Sequence, residues 1–191
     1  MNSTRKQFLV VLLAALLAIG LAARLGWWQL DRAAQKRELQ AAIEGRAQQA
    51  PLGNADLLAS EQQLHRAVRV QGRWLAERTI LLDNRPMNGH VGFFVVTPLQ
   101  LEGRSEAVLV QRGWLPRHAQ DRNRLPPLAT PAGLVEVRGR LIIAPTRLYE
   151  LGPSASGPIR QNLAAAAFAQ EIGQPLLPLT LLQLGQSEGD D

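Results

Sequence analysis

The run VGFFVVTPLQL, Val91–Leu101, decides the fold class, because its Val, Phe and Thr content predicts a β-strand that stops around Pro98. Further runs with strand character stand on both sides of it and are separated by turn residues. These runs are Ala67–Val70, Thr79–Leu82, Ala107–Val110 and Leu134–Ile143, with Pro175–Leu184 as a candidate last strand. The spacing suits antiparallel pairing, so the sequence predicts an α+β, mainly β, domain built as a small antiparallel β-barrel or curved sheet.

The segments between the strands predict two loops and one flanking helix. Arg117–Ala132 is charged and then Pro-rich, and we expect an exposed loop there. Gly152–Pro158 is a second predicted loop. Leu163–Ile172 is Ala-rich and is followed by Gly173, which is typical of a short helix with a glycine at its end.

The N-terminal run FLVVLLAALLAIGLAA, Phe8–Ala23, predicts a transmembrane helix. Residues 8–28 supply about the 20 residues that a bilayer core requires. Trp27 and Trp28 then stand where an aromatic belt is expected. A cleaved signal peptide, with Arg5 in its basic region, is the alternative interpretation. A predicted juxtamembrane helix follows over residues 29–50, and the β-rich domain occupies residues 51–191.

Composition narrows the classes of function. The chain has 191 residues and a formal net charge of +5, but the basic residues form no concentrated run and aromatic residues make up only 5%. We therefore expect no nucleic-acid binding. The chain has no cysteine, which excludes disulfides, Cys-ligated zinc and thiol catalysis.

Residue patterns that would indicate catalysis or metal binding are missing from the sequence. His65, His90 and His118 have no second ligand at helical metal-site spacing. There is no G-x-S-x-G elbow, Walker loop or G-x-G-x-x-G fingerprint. The residues therefore give no positive evidence for catalysis, and we expect no catalytic residues and no metal site.

Two groups of residues are candidate partner or ligand faces. The first is Trp28, Gln29, Arg32 and Lys36, of which Trp28, Arg32 and Lys36 share one helical face. They are either snorkelling cations beside a belt tryptophan or a docking face for an anionic ligand or a membrane partner.

The second group is Arg85, Arg112 and Trp114. One interpretation is that Asp83-Asn84-Arg85 and Gln111–Trp114 are strand ends with turn chemistry, in which Gly113 supplies an unusual backbone angle. The other is that Arg85 and Arg112 project from neighbouring strand ends toward a carboxylate or phosphate.

At the same residues the chain resembles the Surfeit locus protein 1 (Shy-type) family. The block GWWQLDR (26–32) followed by Lys36 is similar to the family's G-x-W-Q-x-x-R-x-x-x-K signature after the first transmembrane helix. LDNR (82–85) with GFFVVTPL (92–99) resembles its central strand. VLVQRGWLP (108–116) resembles its LVNRGWVP block, with Gln111 in place of the usual Asn, and VEVRG (135–139) matches the strand that follows.

The resemblance implies a non-enzymatic assembly factor for haem–copper terminal oxidases. Such proteins help to place haem a, as a transient ligand, into the catalytic subunit of cytochrome c oxidase. It also implies a bacterial inner-membrane location with the main domain on the periplasmic side, although a count of positive charges favours the cytoplasmic side. Residues 1–7 would then be a cytoplasmic tail and 51–191 an extracytoplasmic domain.

The family also has a second transmembrane helix, introduced by an H-x-x-Y-A-x-x-W-like motif whose histidine is the expected haem ligand. This chain stops at Asp191, before that point, and we expect a truncated chain rather than a single-span form. Two alternatives stay open: a membrane-anchored envelope domain that binds lipid or a protein partner without haem, and an anchored envelope enzyme.

Overall fold

The computed structural model describes residues 3–58, 60–117, 128–145, 148 and 157–185. The chain divides into two compact units, Met1–Gly45 and Arg46–Asp191. The first is formed by one continuous helix, α1 (Ser3–Ala47), which is long and apolar enough to cross a membrane. Its Leu, Val and Ile side chains between Phe8 and Leu25 are exposed on all sides. Apolar surface all round is typical of a membrane-spanning helix. The predicted membrane segment lies on α1, and the predicted juxtamembrane segment follows without a break as far as Ala47.

The second unit is a five-stranded closed barrel with two added strands. Its elements are β1 (Ala67–Trp74), β2 (Ile80–Met87), β3 (His90–Leu101), β4 (Ala107–Pro116), β5 (Leu134–Ile142), β6 (Ile159–Arg160), α2 (Ala165–Ile172) and β7 (Leu176–Gln183). The order β1-β5-β7-β4-β3 closes because β3 pairs back onto β1, while β2 extends from β3 and β6 from β2. Pairing is antiparallel except between β4 and β7 and between β2 and β6. The predicted fold class is confirmed.

Buried side chains alternate with more exposed ones along the strands, and the buried ones form the barrel core. In β1, every second residue from Val68 to Trp74 is buried and the residues between are exposed. In β5, every second residue from Val135 to Leu141 is likewise buried, and the residues between are half-buried or exposed. The most buried side chains inside the barrel are Val70, Leu99, Val108, Val110, Val137, Leu141 and Leu181.

Asn54 closes the seam where β1 meets β3. Its Nδ2 donates to the carbonyls of Gln71 at 2.7 Å and Glu102 at 2.9 Å, and its Oδ1 accepts from the Gln71 N–H at 2.9 Å. The amide therefore satisfies backbone groups on both strands.

Two local predictions about turns are wrong. Asp83 and Asn84 do not end a strand but form a bulge within β2, opposite Phe93. The turn comes later, at Asn88-Gly89, where φ is 51° and 79°. Gly113 has no positive φ; β4 continues through it to Pro116.

The helix α2 covers β2, β3 and β4 through Phe168, which packs on Leu82, Val96 and Leu109. It ends as predicted, because Gly173 adopts the left-handed conformation with φ 66°. The predicted last strand is β7. Most of the predicted loop at Arg117–Ala132, and residues 152–156 of the other loop, lie outside the described residues.

Candidate functional site

The blocks behind the family resemblance fall on three adjacent strands, because β3 pairs with β2 on one side and with β4 on the other. Arginine side chains from β2 and from the end of β4 lie over aromatic rings of β3. The two rings lie on opposite faces of the sheet, because Phe93 and Phe94 are neighbours along β3. We call the residues of both faces together the arginine–aromatic cluster: Asp83, Arg85, Phe93, Phe94, Trp114 and Arg117.

Arg85 is held inside the cluster. Only 3% of the residue is exposed, its Nη2 donates to the Gln161 carbonyl at 2.6 Å, and its Cζ lies 5.7 Å from the centre of the Phe94 ring. Burial lowers the pKa of the Arg85 guanidinium, but an arginine stays charged at neutral pH. The charge is therefore stabilised by a carbonyl and a ring face of its own chain.

Trp114 closes the cluster on the β4 side. Its Nε1 donates to the Arg85 carbonyl at 2.7 Å. The indole lies where a side chain at position 92 would be: a Cβ added to Gly92 would stand 2.4 Å from Trp114 Cζ2 and 2.2 Å from the Leu115 carbonyl oxygen. Gly92 is thus required by close packing.

Asp83 and Arg117 form an ion pair between the β2 bulge and the residue after β4. The Asp83 carboxylate also accepts from the Asn84 N–H at 2.7 Å, and the Arg117 Cζ lies 5.6 Å from the Phe93 ring centre. Arg117 was predicted to begin an exposed loop, so its pairing with Asp83 was not foreseen. Only one sign of this pair stands in the sequence: an acidic residue in a predicted turn and an arginine just after a predicted strand.

Arg112 lies in a second bulge, in β4. Its guanidinium lies 4.7 Å from the Trp74 ring centre and donates to Thr130 Oγ1 at 2.8 Å and the Ala129 carbonyl at 2.9 Å. Arg112 therefore holds Ala129 and Thr130, which lead into β5, against the barrel.

Arg85 and Arg112 are not brought together as predicted. They lie on β2 and β4, which are separated by β3, and within their strands rather than at neighbouring ends. One guanidinium covers Phe94 and the other covers Trp74. Binding of a carboxylate or phosphate by either arginine stays a prediction.

The other predicted face lies on α1. Trp28, Gln29, Arg32 and Lys36 are all exposed. The Arg32 Cζ lies 5.8 Å from the Trp28 ring centre, so these two side chains do share a face. The geometry is compatible with both interpretations of this group.

Arg160 is a further buried arginine that the sequence did not indicate. It is 9% exposed, and its two Nη atoms donate to the Glu171 carboxylate at 2.8 Å and 2.6 Å. These bonds lower the pKa of Glu171. Beside the pair lies a largely apolar pocket of about 380 Å³. Because Arg160 is fully engaged by Glu171, the Gly157 carbonyl and the Phe168 ring, the pair fixes α2 to β6 rather than offering a free charge.

Among the described residues, no group of three or more His, Asp or Glu side chains could hold a metal. His65 is in a turn with φ 67°, His90 is exposed at the start of β3, and His118 lies outside the described residues.

A candidate membrane helix followed by a closed five-stranded barrel defines the class of this protein as a helix-bearing β-barrel module. The SURF1 family model matches residues 16–190, and the chain belongs to the SURF1 family. The resemblance drawn from the ordered motifs is confirmed.

Three relatives illustrate the similarity. A SURF1-like protein of Drosophila melanogaster is 30% identical over 110 residues, which cover 49% of this chain and 37% of the relative. A SURF1-like protein of Monosiga brevicollis is 32% identical over 131 residues, 61% of this chain and 47% of the relative. The cytochrome oxidase assembly protein SHY1 of Saccharomyces cerevisiae is 30% identical over 112 residues, 56% and 29% respectively. The chain therefore spans less than half the length of these relatives.

Proposed function

We propose that this chain is a non-enzymatic assembly factor for a haem–copper terminal oxidase, which binds the catalytic subunit of cytochrome c oxidase while haem a is inserted. The observation that carries the proposal is membership of the SURF1 family over residues 16–190, together with a relative that is named a cytochrome oxidase assembly protein. The location that goes with it is a bacterial inner membrane, with the barrel on the periplasmic side.

The geometry supports a role in binding. Arg112 and Arg117 are partly exposed, and each is held by hydrogen bonds or an ion pair and by an aromatic ring. Side chains fixed in this way are pre-organised, so a partner would meet a rigid surface and lose little side-chain entropy on binding. Haem a enters the proposal as cargo, and this chain's described residues contribute contacts to the protein subunit rather than a ligand to iron.

Deletion of the gene in its own host tests the proposal. We expect the deletion strain to lose haem a absorbance and cytochrome c oxidase turnover, and a plasmid copy of the gene to restore both. A strain whose haem a content and oxidase turnover are unchanged would show that the proposed function is wrong. Co-purification of the catalytic subunit with the tagged chain tests the partner separately.

The exposed face of α1 is the best place to probe for a contact with that subunit. Arg32→Ala removes the cation beside Trp28, and Arg37→Ala removes an equally exposed cation from a different side of the helix. We expect R32A to lower complementation severalfold and R37A to leave it unchanged. If the two variants complement equally, the face has no role in assembly and its residues only border the membrane.

A further inference from the structure

Strand β4 extends past its neighbour β7. The two strands pair only as far as Gln111 and Leu182, whereas β4 continues to Pro116 and pairs there with β3. Among the described residues, no strand or bridge pairs with this last part of β4 on the side of β7. We call residues 113–116 the β4 edge.

The phase of the β3–β4 ladder determines which backbone groups the β4 edge presents. The N–H group of Arg117 donates to the Val91 carbonyl at 3.1 Å, so these two residues form a hydrogen-bonded pair. In an antiparallel ladder such pairs alternate with non-bonded pairs, and the register makes Trp114 and Phe94 a non-bonded pair. The backbone N–H and C=O groups of Trp114 therefore point away from β3, in the direction from which a further strand would pair.

A hollow of about 160 Å³ lies beside the β4 edge. Val95, Leu115 and Leu128 give it apolar walls, and Gln183 at the end of β7 also lines it. Its size is comparable to that of an engineered cavity of about 150 Å³ that takes up benzene. Alternate residues of a strand added beside β4 would face the same side of the sheet as Leu115, so one apolar side chain of such a strand would enter the hollow.

Gln183 carries a buried acceptor that faces this question directly. Its Oε1 atom is buried and accepts no hydrogen bond within the described part of the chain. Buried polar atoms are nearly always bonded, and an unsatisfied one lowers stability. An apolar ligand could fill the hollow but could not donate to Gln183, and an anion would only add acceptors. A polypeptide backbone supplies a donor for Gln183 and both a donor and an acceptor for Trp114.

We propose that the β4 edge binds an extended segment of the catalytic subunit by strand addition, with one apolar side chain of that segment in the hollow. The identity of the partner rests on the proposed function. Backbone hydrogen bonds to Trp114 and Gln183 give affinity, and the hollow selects the side chain. Pro116 has no N–H group, which limits the β4 edge to a short segment and restricts its pairing with other chains.

Hydrogen exchange of backbone amides tests whether the β4 edge is open. In the full chain in detergent micelles, we expect the Trp114 amide to exchange severalfold faster than the Leu115 amide, which the ladder bonds to β3. Purified catalytic subunit should slow the exchange of Trp114 and leave Leu115 unchanged. A Trp114 amide that is already protected in the free chain would overturn the proposal. So would a Trp114 amide that still exchanges fast after the subunit has bound.

A photo-crosslinking residue tests the contact in the host cell. Gly113 is exposed and has no atom within 4 Å of the place of a Cβ, and Ala166 on α2 is an exposed control position. We expect Gly113→p-benzoylphenylalanine to crosslink to the catalytic subunit, identified by mass spectrometry, and the same change at Ala166 to give no such product. If the subunit co-purifies with the chain but does not crosslink from position 113, the β4 edge is not the contact although the proposed function stands. Failure to co-purify would contradict the proposed function, and this contact with it.

Gln183→Leu separates a role of the glutamine in binding from a role in the fold. Leucine is similar in size and removes the unsatisfied acceptor, so the melting temperature should stay the same or rise. The crosslink from position 113 should nevertheless fall severalfold, because a backbone N–H group of the partner loses its acceptor. Gln170→Leu, exposed on α2, should not change the crosslink. A lower melting temperature for Q183L, or an unchanged crosslink, would overturn the proposal.

Discussion

Gly92 sets how closely the backbone of β3 and the Trp114 indole approach each other. A methyl group at this position would stand within 2.4 Å of both the ring and a backbone carbonyl oxygen, and the backbone cannot move without disturbing the ladder. We expect Gly92→Ala to lower the free energy of unfolding by about 1–3 kcal/mol, the usual cost of overpacking. Urea unfolding followed by Trp fluorescence measures it.

Gly113 supplies the control on the neighbouring strand. It is exposed, and a Cβ there would meet nothing within 4 Å. Gly113→Ala should therefore change the free energy of unfolding by no more than about 0.5 kcal/mol. Equal stability of G92A and G113A would mean that Trp114 is not packed on Gly92 as described.

Glu171 makes barrel stability depend on pH. The hydrogen bonds from Arg160 lower the pKa of Glu171, so the ion pair stabilises the folded state above the unfolded pKa of about 4.3. That stabilisation is lost as the pH falls through the lower, folded pKa. Glu171→Gln should therefore reduce the free energy of unfolding near neutral pH, with a deficit that shrinks in acid.

Glu77→Gln is the matched control, since it removes an exposed carboxylate in the turn between β1 and β2. The free energy of unfolding of E77Q should equal that of the unaltered chain throughout the pH range. If the free energy of unfolding of E171Q were lower by the same amount from neutral to acidic pH, the charge of Glu171 would not be what stabilises the fold.

Elements were easier to predict from the sequence than their irregularities. Strand composition located the five barrel strands, and Gly173 marked the end of α2, because composition and caps act locally. The bulge at Asp83-Asn84 was taken for the end of a strand, since the same residue types favour both features. The pairs Asp83–Arg117 and Arg160–Glu171 could not be predicted because each joins separate elements.

The hairpin between β2 and β3 depends on the Asn88-Gly89 turn. Both residues have positive φ, as a two-residue turn that matches the strand twist requires. We expect Asn88→Val to lower the free energy of unfolding by about 1–2 kcal/mol, because a branched residue is strained in the left-handed region. Asn88→Gly should be tolerated. Residue 88 is exposed, so a change in packing does not contribute to the difference between the two variants. Equal free energies of unfolding for N88V and N88G would exclude this turn.

At the scale of the whole molecule, closure of the barrel needs contacts between distant parts of the chain. β1 pairs with β5 and with β3, and β7 inserts between β4 and β5 in parallel with β4. No local pattern specifies such an order, so the sequence predicted a barrel or a curved sheet without deciding between them. Closure also leaves β1 without a free edge over its paired residues, which protects it from pairing with other chains.

The side of the membrane that holds this barrel is the prediction on which charge and family disagree. Five basic residues between Arg24 and Arg46 follow the apolar run, against two at Arg5 and Lys6 before it, a distribution that favours a cytoplasmic barrel. The charge rule weakens for large translocated domains, and the family resemblance implies the periplasmic side, so we expect the barrel there. Ala166→Cys should then react with a membrane-impermeant maleimide in intact cells, whereas Ser3→Cys should react only after lysis. The reverse pattern would place the barrel in the cytoplasm, and assembly from the outer side of the membrane would have to be abandoned.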